Sequence, residues 1–186
     1  MTRAVSKSKM NLCIRRAGFI FLILFVGVLQ NTPHMFPTIF GAHAFLLIPT
    51  VVCIAMFERD LAATLMGIFA GAIWDATAAR GDGFNALFLM IVATVVGLLI
   101  NYLMRNNLST ALLLSSVAIV LYAVLHWFIF VVCRGIEGGL LLFVTFYLPS
   151  IVYTFVFTPL FYVLMRKFLR KLKERYPHKS RVIRPN

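Results

Sequence analysis

Asp75 has the most unusual position for its residue type in this sequence, because its carboxylate lies within a long apolar stretch. A carboxylate at the centre of a bilayer costs about 2.5–3.5 kcal/mol on insertion scales, and the cost falls towards the interface. Such a group is typical of a proton or ion relay, or, with Asp82, of an intramembrane aspartyl protease. Both activities require a second ionisable group within the membrane, and Asp82 lies in a glycine-flanked turn. We therefore favour an anchor that fixes helix packing, with Asn85, His126 or Arg134 as its partner.

Small residues precede Asp75 on the same predicted helix face. Ala63, Gly67 and Gly71 recur every four residues, and a spacing of four keeps side chains on one side of a helix. The Gly67-to-Gly71 spacing is the arrangement that lets two membrane helices approach closely. This pattern predicts a tightly packed face, and we expect a partner's transmembrane helix to pack against it.

The segment 80–85, which reads RGDGFN, predicts a tight turn between two helices. Asn85 is expected to cap the helix that begins after Gly83. A phosphate-binding loop requires a preceding strand and a Gly-Lys-Ser/Thr ending, and the sequence has neither here. The segment therefore predicts no nucleotide cofactor.

Histidine and cysteine residues follow no spacing typical of a metal site or of a disulfide framework. His126 is the only histidine deep within an apolar run, where a hydrogen bond to another helix is the usual arrangement. The sequence predicts no metal site, no cofactor and no catalytic nucleophile. The residues concerned are His34, His43, His126, His178, Cys13, Cys53 and Cys133.

The composition defines the elements that must position these groups. Of the 186 residues 61% are apolar and 13% are charged, whereas soluble domains are near one half and one quarter. A membrane-spanning helix needs about 20 apolar residues, so the chain has material for five or six spans and no separate soluble domain. We predict an all-α polytopic membrane protein with six transmembrane helices, the first a true span and not a cleaved signal peptide. The predicted spans are residues 16–30, 41–57, 61–79, 84–104, 109–132 and 139–165.

The basic residues predict how this bundle is oriented. If the N-terminus is cytoplasmic, 16 of the 18 Lys and Arg residues lie inside and only Arg80 and Arg134 lie outside. This bias follows the positive-inside rule and places both termini in the cytoplasm. Trp74 and Trp127 then fall near the outer interface, where aromatic belts form.

The segment 166–186 is predicted to be a basic cytoplasmic tail. Its first half continues as an amphipathic helix suited to an anionic inner leaflet, although a simple topogenic stop explains the charges nearly as well. No nucleic-acid-binding module accompanies these charges, so we expect no nucleic-acid partner.

The sixth span carries two further sequence features. Pro149 and Pro159 predict a kink or tilt. Ser150, Thr154 and Thr158 recur every four residues, which predicts a polar stripe facing other helices.

Several segments, in order and spacing, resemble the rod shape-determining protein MreD family. They are IPT at 48–50, AMFER at 55–59, GIFAGAIWD at 67–75 and GFNAL at 83–87. The resemblance implies a fold similar to the substrate-binding subunits of energy-coupling-factor transporters. It also implies a non-enzymatic subunit of the bacterial elongasome, in the inner membrane, where lateral peptidoglycan synthesis and rod shape are organised. The family positions that map here, as packing or partner-contact residues, are Gly67, Gly71, Asp75, Gly83 and Asn85.

The partners that this resemblance implies are MreC, through its transmembrane helix and periplasmic segment, and then MreB, RodA and a class B penicillin-binding protein. The alternative is a substrate-capture subunit of an energy-coupling-factor vitamin transporter. Those subunits dock through small residues near their N-terminus, whereas residues 19–25 here are bulky throughout.

Overall fold

The computed structural model describes residues 2–32, 43–58, 60–77, 82–135 and 137–175. Side chains are described from Met10 to Leu172 within these ranges, Asn11 excepted. The end of the predicted tail, from residue 176 onward, lies outside the described residues.

The described residues fold into helices with no strand, which confirms the all-α prediction. Two single π-helical turns interrupt the helical path, at Phe128–Val132 after α5 and at Phe143–Tyr147 between α6 and α7. The helices are α1 Thr2–Asn31, α2 Leu47–Phe57, α3 Asp60–Thr77, α4 Phe84–Tyr102, α5 Leu108–Trp127, α6 Gly139–Leu142 and α7 Leu148–Arg175.

Four helical segments of the described chain are long and apolar enough to cross a membrane. They are Leu12–Asn31, Phe84–Tyr102, Leu108–Val132 and Gly139–Leu172. These segments correspond to the first, fourth, fifth and sixth predicted spans. Helix α3, the third predicted span, carries Asp60 and Asp75 within its 18 residues, which lowers its mean hydropathy.

The second predicted span, 41–57, begins earlier than the helix that the structure contains. Helix α2 starts at Leu47 and has only 11 residues, shorter than the about 20 needed for a perpendicular span. Residues 43–46, immediately before it, are not helical. The apolar run alone could not locate this boundary, because the residues on both sides of it are buried and apolar.

Helix α2 forms the centre of the bundle. All of its residues from Leu47 to Met56 are buried, and it contacts α1, α3, α4, α5 and α7. The backbone N–H groups at and just before its buried N-terminal end donate to side chains of two neighbouring helices. The side chain of Gln30 accepts a hydrogen bond from the Leu47 N–H, and the Thr154 hydroxyl accepts one from the Phe45 N–H, both at 2.9 Å. A helix that is apolar on every side is stable only when it is surrounded in this way.

The polar stripe predicted on the last span faces the interior. Ser150, Thr154 and Thr158 are fully buried on α7, and each hydroxyl also donates to the carbonyl four residues before it. Thr154 in addition holds the segment before α2, so the stripe joins α7 to the centre of the bundle.

The last helix continues beyond the predicted span without a break. Helix α7 runs from Leu148 to Arg175, and its one internal proline is Pro159. The irregular π-helical turn falls just before Pro149, whose missing N–H leaves a carbonyl of the preceding turn without its helical donor. Phe168 lies against α1, with its ring centroid 6.3 Å from that of Phe19, so part of the amphipathic extension packs on the protein itself.

Candidate functional site

Asp75 anchors α3 to the beginning of α4. Its Oδ2 accepts a hydrogen bond from the Ala86 N–H at 2.9 Å, and its Oδ1 accepts from the Asn85 N–H at 3.2 Å and from the Asn85 side-chain Nδ2 at 2.9 Å. The first N–H groups of a helix have no partner within that helix, and the positive end of the helix dipole favours a negative charge. Asp75 therefore caps α4 from a different helix.

The expected cap by Asn85 is wrong. The residue at the cap position of α4 is Gly83, with φ of 70°, and no side chain near it in sequence supplies a capping bond. Asn85 is the second residue of the helix and is buried, and its side chain links Asp75 to α5. Gly83 adopts a left-handed conformation that most other residues disfavour, which explains a glycine at this turn.

Asn85 is also hydrogen-bonded to α5. The Tyr122 hydroxyl donates to Asn85 Oδ1 at 2.8 Å, and the Tyr122 ring stacks on Trp74 with centroids 5.0 Å apart. Asp75, Asn85 and Tyr122 thus join three helices through one hydrogen-bonded chain. Of the three partners predicted for Asp75, the structure confirms Asn85.

The other two predicted partners of Asp75 make different contacts. His126 Nδ1 lies 2.8 Å from the Tyr147 hydroxyl, which confirms that His126 bonds between helical segments. The Arg134 guanidinium carbon lies 5.1 Å from the centroid of the Phe130 ring, a cation–π distance.

The glycine face of α3 is occupied by α4. A Cβ at Gly67 would lie 2.5 Å from the Leu89 carbonyl oxygen and 2.7 Å from the Ala93 Cβ. A Cβ at Gly71 would overlap backbone atoms of α4 itself. The small residues therefore allow close packing within the chain, and the expectation that a partner's helix packs on this face has to be corrected, because α4 covers it.

The opposite end of the bundle contains a second group of polar contacts, which the sequence reasoning missed. Arg15 Nε donates to Glu58 Oε1 at 2.7 Å, although Glu58 lies at a chain turn and its side chain has no exposed surface. Asn101 donates to Asp60, so the α3–α4 pair is joined by a carboxylate at both ends. The only sequence signal was that Glu58 and Asp60 adjoin an apolar run, and no local pattern indicates partners more than 40 residues away.

A cavity of about 500 Å³ lies beside the Asp75 anchor, at the predicted outer end of the bundle. Asp75 and Asp82 both line it, together with His126 and a group of aromatic rings. Asp82 is exposed, whereas Asp75 is engaged by three donors of α4. Within the described residues, no three His, Cys, Asp or Glu side chains come together as a possible metal site.

The fold and this site define a helical membrane protein whose intramembrane polar groups hold its own helices together. The chain belongs to the MreD family, since residues 12–172 match rod shape-determining protein MreD. It is therefore a rod shape-determining membrane protein. No curated protein and no solved structure matches the chain.

Proposed function

We propose that the protein is a non-enzymatic subunit of the bacterial elongasome that binds MreC in the inner membrane and helps to organise lateral peptidoglycan synthesis. The observation that carries this proposal is the family match over residues 12–172. The use of Asp75 as a helix cap agrees with it, because a carboxylate held by three donors is positioned for structure and not for proton transfer.

The proposed topology has six membrane passages and both termini in the cytoplasm. Two contacts support α2 as a passage: Gln30 meets Leu47 at one end of the α1–α2 pair, and Arg15 meets Glu58 at the other. Fifteen residues of α1 separate these contacts, a rise of about 22 Å at 1.5 Å per residue. Helix α2 with its flanking residues therefore extends across most of a hydrocarbon core of about 30 Å.

Similar contacts support α3 as a passage antiparallel to α4. Asp75 meets Asn85 where α3 ends, and Asp60 meets Asn101 where α3 begins. Since α4 is long and apolar enough to cross a membrane, a helix paired with it at both ends crosses with it.

In the proposal, the transmembrane helix of MreC packs on the outward face of α3, which is the face opposite to the glycines. Leu61, Leu65 and Ile68 are exposed there, and Ala72 and Ala76 continue the same stripe with small side chains. Small residues let a second backbone approach closely, and membrane helix association depends on such packing and on a few hydrogen bonds of about 0.6 kcal/mol each.

Other proposed contacts lie at the two membrane surfaces. The outer turns meet the periplasmic segment of MreC, and the basic end of α7 meets anionic lipid, where each Lys or Arg contributes about 1 kcal/mol. MreB, RodA and a class B penicillin-binding protein are the further partners that we propose for the assembled complex.

Bacteria depleted of their own MreD protein provide the test. The wild-type chain should restore rod shape and retain MreC on purification. Ala72→Trp should lose both, because an indole ring on the small end of the stripe blocks close approach. Val117→Trp, at another exposed position, on α5, is the matched control and should behave as wild type. Rod shape restored without retained MreC, or equal behaviour of the two variants, would contradict the proposal.

A further inference from the structure

The cavity beside Asp75 is not needed for the anchor that Asp75 forms. Its volume of about 500 Å³ lies within the range of small-molecule sites, about 300–1,000 Å³. The end of α1, the segment before α2, the end of α3, the start of α4, α5 and the turn before α7 all contribute to its walls. Most of the elements at this end of the bundle therefore contribute to the cavity.

The charged groups of the cavity are acidic. Asp75 and Asp82 line it, and no Lys or Arg is among its described lining residues. The Asp75 carboxylate is engaged by the N-terminus of α4. The Asp82 carboxylate is exposed and makes no hydrogen bond or ion pair with the described part of the chain.

Aromatic rings form much of the remaining wall. Phe45, Trp74, Phe84, Phe130 and Phe146 all line the cavity. The face of an aromatic ring attracts a cation within about 6 Å of its centroid, and the attraction increases when the cation is desolvated. Phe130 already has such a contact, since the guanidinium of Arg134 lies 5.1 Å from its centroid.

We infer that this cavity binds an organic cation that has an apolar body. The ammonium or guanidinium group lies between Asp82 and the ring faces, and the apolar part fills the aromatic walls. Two sources offer this chemistry: a free amine, and a lysine side chain of a neighbouring polypeptide. The inference is independent of where MreC binds.

Tryptophan fluorescence of the full chain in detergent tests the inference. The chain has two tryptophans, and Trp74 alone lines the cavity, so Trp127→Phe leaves one reporter at the site. Phenethylammonium and 2-phenylethanol form a charged and a neutral pair for a free amine. The amides of acetyl-lysine and acetyl-norleucine form the pair for a polypeptide side chain.

At least one cation should change the Trp74 emission saturably, with a Kd about tenfold below that of its neutral counterpart. The pair that shows this difference identifies the source. Asp82→Asn should raise the Kd of the cation about threefold, as for other exposed charge pairs, and leave the neutral compound unchanged. Glu137→Gln is the matched control, because Glu137 is also exposed and does not line the cavity.

A second pair of variants tests the ring faces. Phe146→Leu keeps an apolar side chain in the wall and should raise the Kd of the cation about threefold. Phe143→Leu, a half-buried phenylalanine outside the cavity, should not change it. The inference is overturned if no cation binds saturably, if each neutral compound binds as well as its cation, or if Asp82→Asn and Glu137→Gln have equal effects.

Discussion

Asp75 shows how one residue resolves the conflict between a carboxylate and an apolar span. Its charge is placed at the N-terminus of α4, where three N–H groups would otherwise lack acceptors. The Tyr122 hydroxyl completes the arrangement through Asn85, and Trp74 stacks on the Tyr122 ring. The carboxylate for which the sequence favours an anchor over a proton relay is thus a link between three helices.

Replacing Asp75 should therefore destabilise the protein. Asp75→Ala leaves partly buried donors of α4 without acceptors, at a cost of up to about 1–3 kcal/mol, whereas Asp75→Asn keeps one oxygen and should lose less. The free energy of unfolding in detergent measures both. Asp82→Asn is the control, because its carboxylate holds no described part of the chain. An Asp75→Ala variant as stable as wild type would exclude the anchor role. If Asp75→Asn were stable but failed to restore rod shape, Asp75 would have a chemical role.

At the level of elements, the α3–α4 pair is the most closely packed part of the structure. Gly67 and Gly71 bring the two backbones together, and a carboxylate of α3 bonds to α4 at each end. Both helices of the pair pack against α2, which is buried on all sides. Close packing inside the chain covers the glycine face of α3 and leaves its outward face exposed.

Two alanine substitutions in this pair should have different effects on stability. Gly71→Ala forces the backbones apart, and overpacking of this kind typically costs about 1–3 kcal/mol. Gly97→Ala meets only atoms at 3.5 Å or more, so the better helix propensity of alanine should leave stability unchanged or raise it by up to about 1 kcal/mol. Thermal unfolding followed by circular dichroism distinguishes them, and equal melting temperatures would show that α3 and α4 are not in close contact.

Some of this arrangement follows from the sequence and some does not. The bounds of α3 and α4, and of α5 together with the π-helical turn that follows it, lie within about two residues of the apolar runs, because charges and glycines mark their ends. The Asp75–Asn85 contact follows from their common depth. The start of α2 does not follow from the sequence, because the side chains that accept its hydrogen bonds, Gln30 and Thr154, lie on helices distant in sequence. Periodicity identified the glycine face but not whether α4 or another protein covers it.

At the scale of the whole molecule, cytoplasmic termini require one orientation of the protein in the membrane. Cys133 is exposed between α5 and α6, at the predicted outer surface, and Asn107 is exposed between α4 and α5, at the predicted inner surface. In a Cys13→Ser chain, a membrane-impermeant thiol reagent should modify Cys133 in intact cells. In the same chain with Cys133→Ser, the variant Asn107→Cys should react only after the membrane is permeabilised. Labelling of Asn107→Cys in intact cells would reverse the proposed orientation.

Photo-crosslinking in living cells tests the proposed contact between the outward face of α3 and the transmembrane helix of MreC. A photoreactive residue in place of Leu65 or Ile68 should crosslink to MreC in living cells. The same residue in place of Val117 or Leu121 on α5, which are equally exposed, should not. Crosslinks to MreC from α5 and none from α3 would contradict the account.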